Sequence, residues 1–476
     1  ITNYDYEKKI LLSPHLGSMG PAYRNWEEGK RGYPYSFWKV YPLPFLDIDG
    51  IDTVEDLQKP GMEEKMAQAM ADRMARGDVA VNLASTSLVM NAYMFGGDAK
   101  QKYKSWILEY VDAWIQRTHN NDGILPDNVG HSGKVGELMG GRWYGGNYGW
   151  TWPHGWGTLG DAVTCAAENA LALTGDRAYL DLPRSQIDLL MSQGELKGET
   201  WHIPECYNDH GWFQFGPMRV DWMAHIWLAS MSEADRDRIK KLRNNETENY
   251  KSVQSYYTKH NAGNDAAWIH YLEGNYKEYP VEILRHNHAQ VYQCIDFMRQ
   301  DQQDPSTYGD WYLQVRNPIS VEGLLQLTMG APLFLYNGGL LQARLRYFDV
   351  DRQRPGLPKD VGALVESMSD DTIVVQLANL STIEKREVIV QAGAFGEHIF
   401  KTAKGQRRRK LSEEEVGITG SDPRRYLDGV SEQTEDFVVD IDDKVFSVDI
   451  EPGCFIRLEL GMDRFSGDPS YNFPWN

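Results

Sequence analysis

ENALALTGDRAYLDLPRSQIDLL, residues 168–190, decides how most of this chain is read. An apolar helix end runs into Gly175-Asp176, and after the aromatic Tyr179 a second amphipathic stretch begins. Glycine closes a helix in a left-handed C-cap, and an aspartate side chain opens the next one as an N-cap. NAYMFGGDAKQKYKSWILEYVDAW (91–114) and AAWIHYLEGNYKEYPVEILRHNHAQV (266–291) repeat the pattern. The glycines stand at 97, 175 and 274, and these gaps of 78 and 99 residues exceed the period of compact helical repeats. The pattern predicts helical hairpins separated by long functional loops. DAVTCAAENALAL (161–173) is rich in alanine, which lets helices approach closely, in the inner ring of a helical toroid or in any packed bundle.

The hydropathy period changes near residue 355. RQRPGLPKD (352–360) reads as a linker rich in proline and arginine. After it come VGALVESM, TIVVQLANLS, REVIVQAG, EHIFKTA, DFVVDI, KVFSVDI and CFIRLEL, with Asp-Asp turns at 370–371 and 442–443. Short alternating runs at close spacing predict antiparallel strands packed as a β-sandwich. The expected fold class is therefore mainly α with a C-terminal all-β domain. Residues 1–355 carry the chemistry, and residues 356–476 form a supporting β-domain with a C-terminal tail.

A net charge of -19 argues against nucleic acid as a partner, because the phosphate backbone needs a basic stripe. The short RRRK run at 407–410 reads as a solvated loop. No run of apolar residues is long enough for a membrane span. The four cysteines, Cys165, Cys206, Cys294 and Cys454, form no C-x-x-C pair, so neither a zinc ribbon nor a disulfide framework is indicated. The chain begins at Ile rather than Met, which is compatible with a removed leader, and a periplasmic or secreted location is expected.

Tryptophan and tyrosine are abundant, at 15 and 26 residues, and they concentrate in loops. YGGNYGWTWPHGW (144–156) has five aromatics and four glycines. Gly155, Gly157 and Gly160 satisfy a dinucleotide fingerprint, but no apolar strand precedes them, so the glycines are read as a sharp turn into a helix. Two readings of the aromatics stay open. Trp150, Trp152 and Trp156 plug a helical ring, or they form a sugar platform with Trp143, on which Arg142, Asn147 and His154 add directional hydrogen bonds.

WHIPECYNDHGWFQFGPMR (201–219) has the same character and holds Glu205 and Asp209 between aromatics, with His202, His210 and Trp212 nearby. Two carboxylates in one aromatic loop suit acid and base work, since an apolar wall raises the pKa of the proton donor. The plainer alternative is that they cap a helix or hold the loop. HNNDGILPDNVGHSGK (119–134) adds Asp127 as a third candidate. His286 and His288 form an H-x-H without a matching carboxylate motif, so no metal and no cofactor is expected. Nucleophile-elbow, phosphate-loop and H-E-x-x-H signatures are absent from the sequence.

Helical hairpins with a Gly-Asp turn, aromatic loops and the DGILPD segment together resemble the six-hairpin (α/α)6-toroid carbohydrate-active enzymes. About 59 residues per hairpin, from 355 residues over six, fits two helices and their loops. The resemblance implies an (α/α)6-type helical toroid followed by an antiparallel β-sandwich, with the site in the funnel where loops converge. It implies an enzyme that cleaves an oligo- or polysaccharide. Hydrolysis would use two carboxylates from Asp127, Glu205 and Asp209. Elimination on a uronate would instead place Asn147, Tyr148 and His154 at the reacting sugar. A sugar epimerase using His286 and His288, or a non-catalytic glycan binder, are the remaining readings.

Overall fold

A computed structural model describes residues 3–12, 35–39, 43–74, 77–198, 200–242, 264–308, 312, 320–333, 335, 338–408 and 434–475. They form two compact units, 1–249 with 334–340, and 250–333 with 341–476.

In the first unit, short ladders β1 (Tyr4–Asp5), β2 (Ile10–Leu11), β3 (Asp78–Val79) and β4 (Asn128–Val129) frame three helices, α1 (Met62–Met74), α2 (Thr86–Phe95) and α3 (Lys100–Asn120). At the centre lies α4 (Gly155–Thr174), nearly all of whose residues are buried. A helix that is apolar all round has to be enclosed, and α4 packs against α2, α3, α5 (Asp181–Ser192), α6 (Asp221–Ser230) and the strand β6 (Thr200–Asn208). Its end follows the sequence reading: Gly175 takes φ +73°, and Asp176 accepts a hydrogen bond from the Ala178 N–H at 2.9 Å. A three-stranded sheet of β5 (Glu195–Lys197), β6 and β7 (Gly211–Pro217) crosses the start of α4, and α7 (Glu233–Leu242) follows α6.

Among the described residues, the second unit holds α8 (Asp265–Leu272), α9 (Tyr279–Gln300) and nine strands. They are β8 (Leu345–Asp349), β9 (Arg354–Pro355), β10 (Val361–Met368), β11 (Thr372–Asn379), β12 (Arg386–Ala392), β13 (Ile399–Arg408), β14 (Thr434–Asp443), β15 (Val445–Ile450) and β16 (Phe455–Asp463). Two antiparallel sheets, ordered β10-β11-β16-β13-β14 and β15-β12-β8-β9, contribute residues to one apolar core. Leu345, Tyr347, Val388 and Val390 from one sheet meet Val375, Leu377, Phe400 and Leu458 from the other.

All seven alternating segments are strands; Asp370-Asp371 turns between the paired β10 and β11, whereas Asp442-Asp443 closes β14 before the chain passes to β15 in the other sheet. Two details differ from the sequence reading. Residues 352–360 are no linker between units: Arg354 and Pro355 pair with Asp349 and Phe348 of β8 at the sheet edge, where a proline without an N–H is tolerated. Compactness also draws its line elsewhere than residue 355. Tyr271 Oη on α8 donates to Val365 O at 2.9 Å, and Tyr347 Oη donates to Thr328 O at 2.6 Å, tying residues before 333 to the strands. The described residues give a mixed chain, helical first and antiparallel β after, without a closed ring of six hairpins. The Gly175-Asp176 turn closes one helix and opens the next turn, and such local chemistry does not encode ring closure. Among the described residues, no helix is long and apolar enough to cross a membrane. All four cysteines are free.

Candidate functional site

Asp127 has a role the sequence did not reveal. Its carboxylate is fully buried and accepts from Gly145 N at 3.0 Å, Gly146 N at 2.8 Å, Trp150 N at 2.7 Å and Asn128 Nδ2 at 3.0 Å. Burial pushes its pKa up, while these donors pull it back. The aromatic loop is therefore wound around Asp127, whose oxygens are already occupied.

Within that loop the tryptophans divide into two sets. Trp150, Trp152 and Trp156 are buried, and Trp150 stacks on Trp156 with centroids 6.2 Å apart. Trp150 Nε1 donates to Leu125 O at 2.8 Å. Asn147 is buried as well, and Tyr148 packs on Trp152 at 4.3 Å. His154 stands exposed at the N-cap of α4.

Half-exposed rings make a second set, shared between the loop and the β6–β7 hairpin. Tyr207 contacts Trp143 at 4.7 Å, Tyr144 at 4.9 Å and Trp212 at 4.9 Å. Trp212 rests edge-on against the buried Trp150 at 5.3 Å, so the outer wall is braced by the inner plug.

The hairpin carries the two remaining carboxylates. Asp209 sits at its exposed tip beside His210 and accepts a hydrogen bond from Tyr144 Oη. Arg142 Nη1 lies 3.4 Å from both Asp209 oxygens and 3.4 Å from Asp47 Oδ2, and Asp47 is in turn paired with Arg73. The Tyr144 hydrogen bond, aided by Arg142, holds the Asp209 pKa below the usual carboxylate range. Tyr144 itself is pushed up to about 12, by burial first and Asp209 second, so it remains a proton donor to the carboxylate.

Glu205 lies four residues back, half-buried, and receives no hydrogen bond from the described residues. Burial raises its pKa, and the Arg219 guanidinium opposes the rise. Its backbone is pinned by α4: a Cβ on Gly155, where φ is +34°, would stand 1.9 Å from Glu205 O. The glycine that imitates a dinucleotide motif is there for this approach. His202 lies three residues before Glu205, half-buried.

Sequence reasoning missed the polar groups beneath. Arg219 pairs with Asp221 and lies 4.8 Å from the Trp222 ring centroid. Trp222 Nε1 donates to Asp161 Oδ1 at 2.9 Å, and His225 Nδ1 meets Glu168 Oε1 at 3.0 Å, both buried. Asp161 and Glu168 are seven residues apart, two turns of α4, so they share one face toward α6. Charged residues inside an otherwise apolar helix were the available signal.

His286 and His288 sit in the second unit, on α9. Residues two apart point to different sides of a helix, and His288 packs on Tyr292 at 4.7 Å. Among the described residues no group of three or more His, Cys, Asp or Glu is placed to hold a metal ion.

Residues 1–202 and 195–325 match the family described as a domain of unknown function (DUF8034), well over half of the chain. The chain belongs to this family. The DUF8034 match takes in the aromatic loop, the hairpin and α9, and ends before β8. The comparison with curated proteins finds no match. Among solved structures, an alpha-L-arabinofuranosidase from Thermotoga maritima, in an arabinose complex, is similar at 10% identity with a TM-score of 0.15, over 26% of each chain. A second, described as an arabinofuranosidase, is similar at 9% identity with a TM-score of 0.15, over 25% of each chain. This chain thus spans about a quarter of those structures, and likeness at that score carries no argument about fold or activity.

Proposed function

We propose that this chain is a glycosidase that hydrolyses an oligo- or polysaccharide, with Glu205 as proton donor and Asp209 as base. One observation carries the reading: two carboxylates of one hairpin have proton affinities pushed in opposite directions, Glu205 up by burial and Asp209 down by Tyr144 and Arg142. Such divergence is how one site holds an acid and a base at the same pH. Trp143, Tyr144, Tyr207 and Trp212 supply half-exposed rings to stack on the C–H faces of a sugar.

The elimination reading is weaker here, because Asn147 is buried and Tyr148 packs on Trp152. The toroid is not needed by this proposal, since every group it uses lies in the first unit.

The test is to incubate the full chain with neutral and uronate-containing glycans and follow new reducing ends together with the ultraviolet absorbance of an unsaturated uronate. Hydrolysis gives reducing ends alone. Absorbance rising with them would replace this reading by elimination.

A further inference from the structure

Three polar groups near Glu205 are not used by the acid–base pair. Arg219 follows β7, Asp221 opens α6, and Asp161 comes from α4. The Arg219 side chain is 36% exposed and that of Asp221 is 5% exposed, joined by a hydrogen bond from Nη2 to Oδ2. Asp161 and Glu205 add their charge to the same guanidinium. Among the described residues, two buried atoms of the pair have no hydrogen-bond partner: Arg219 Nε, a donor, and Asp221 Oδ1, an acceptor.

A buried donor and acceptor left unpaired are costly, so a ligand that satisfies both is favoured. A hydroxyl donates and accepts, whereas a carboxylate only accepts and would face Asp221 as a like charge. The charge balance points the same way, with Glu205, Asp221 and Asp161 around one guanidinium. At the hairpin tip Arg142 is divided between Asp47 and Asp209.

We propose that the Arg219–Asp221 pair, over Trp222 and beside Glu205, is a sugar-hydroxyl subsite that selects neutral glycans against uronate-bearing ones. It rests on the glycosidase reading and narrows its substrate class. Asp221 is the discriminating group. Asp221→Asn keeps the shape but frees Arg219, whose planar fork then suits a carboxylate.

The experiment measures binding of a glycan panel, neutral and uronate members together, to the full chain carrying Glu205→Gln, alone and with Asp221→Asn or Arg219→Lys. The parent binds neutral members only. Asp221→Asn weakens neutral binding by about tenfold and strengthens uronate binding by a similar factor. Arg219→Lys, which keeps the charge but loses the fork, weakens neutral binding without admitting uronates, and it serves if Asp221→Asn does not fold. A parent that prefers a uronate, neutral binding unchanged in both folded variants, or a folded parent that binds no glycan overturns the proposal. Neutral binding that depends on Arg219 and Asp221, with no cleavage by the unmodified chain, supports the subsite and removes the hydrolytic reading.

Discussion

The loop at 144–156, wound around Asp127, and the hairpin at 200–217, which carries Glu205 and Asp209, are both aromatic, yet they treat carboxylates in opposite ways. Asp127 is saturated by three backbone N–H groups and Asn128, and the loop takes its shape from those bonds. Glu205 is half-buried with no such donors, and Asp209 is held at an exposed tip by Tyr144 and Arg142. A carboxylate surrounded by backbone donors builds structure. One whose proton affinity is set by burial or by a single phenol is available for proton transfer.

Glu205→Gln is the strongest attempt to break that contrast. Turnover of an accepted glycan should fall about 10²–10⁴-fold, the usual worth of a positioned acid. Stability should not fall with it, and the sign follows from linkage. Glu205 has a raised folded pKa, so its contribution is most favourable below the unfolded value and is lost as pH rises through the folded one. Above that window Glu205→Gln removes a penalty, so denaturant titration at neutral pH should find it at least as stable as the unmodified chain.

Asp127→Asn should show the reverse. An amide turns N–H groups toward donors that already point at the site, and each buried donor left without an acceptor costs about 1–3 kcal/mol. Chemical denaturation should report that loss, while the fraction still folded keeps its turnover.

Gly155→Ala sharpens the comparison where α4 touches the hairpin. The added Cβ meets the Glu205 carbonyl in a left-handed backbone conformation. Strain and displacement together should cost roughly 1–3 kcal/mol, measured by thermal unfolding. Turnover should fall too, because Glu205 moves with its carbonyl.

The smallest effect belongs to Tyr144→Phe. Its hydroxyl is the first cause of the lowered Asp209 pKa, so without it the acidic limb of the pH–rate profile should move to higher pH. The alkaline limb, set by Glu205, should stay in place.

How much of this was legible in the sequence depended on the range of the interaction. Period-two alternation is local, and the segments from 361 onward became strands of two sheets sharing one core. LRYFD at 345–349 was overlooked because it is short and precedes the change of period, and Pro355 hid an edge strand. The cap at Gly175-Asp176 was readable because Asp176 closes its own turn. Burial was not readable: Trp150 and Trp212 look alike in sequence, but one is enclosed and the other lines the outer wall. Arg219 and Asp221 escaped notice because their neighbours, Glu205 and Asp161, come from separate elements.

The most direct measurement is the turnover of Glu205→Gln beside Asp127→Asn on one glycan that the unmodified chain cleaves, each normalised to folded protein. The account predicts a stable, inactive Glu205→Gln and an unstable Asp127→Asn with near-normal turnover per folded molecule. Full activity in folded Glu205→Gln, or a stable Asp127→Asn without activity, would contradict it.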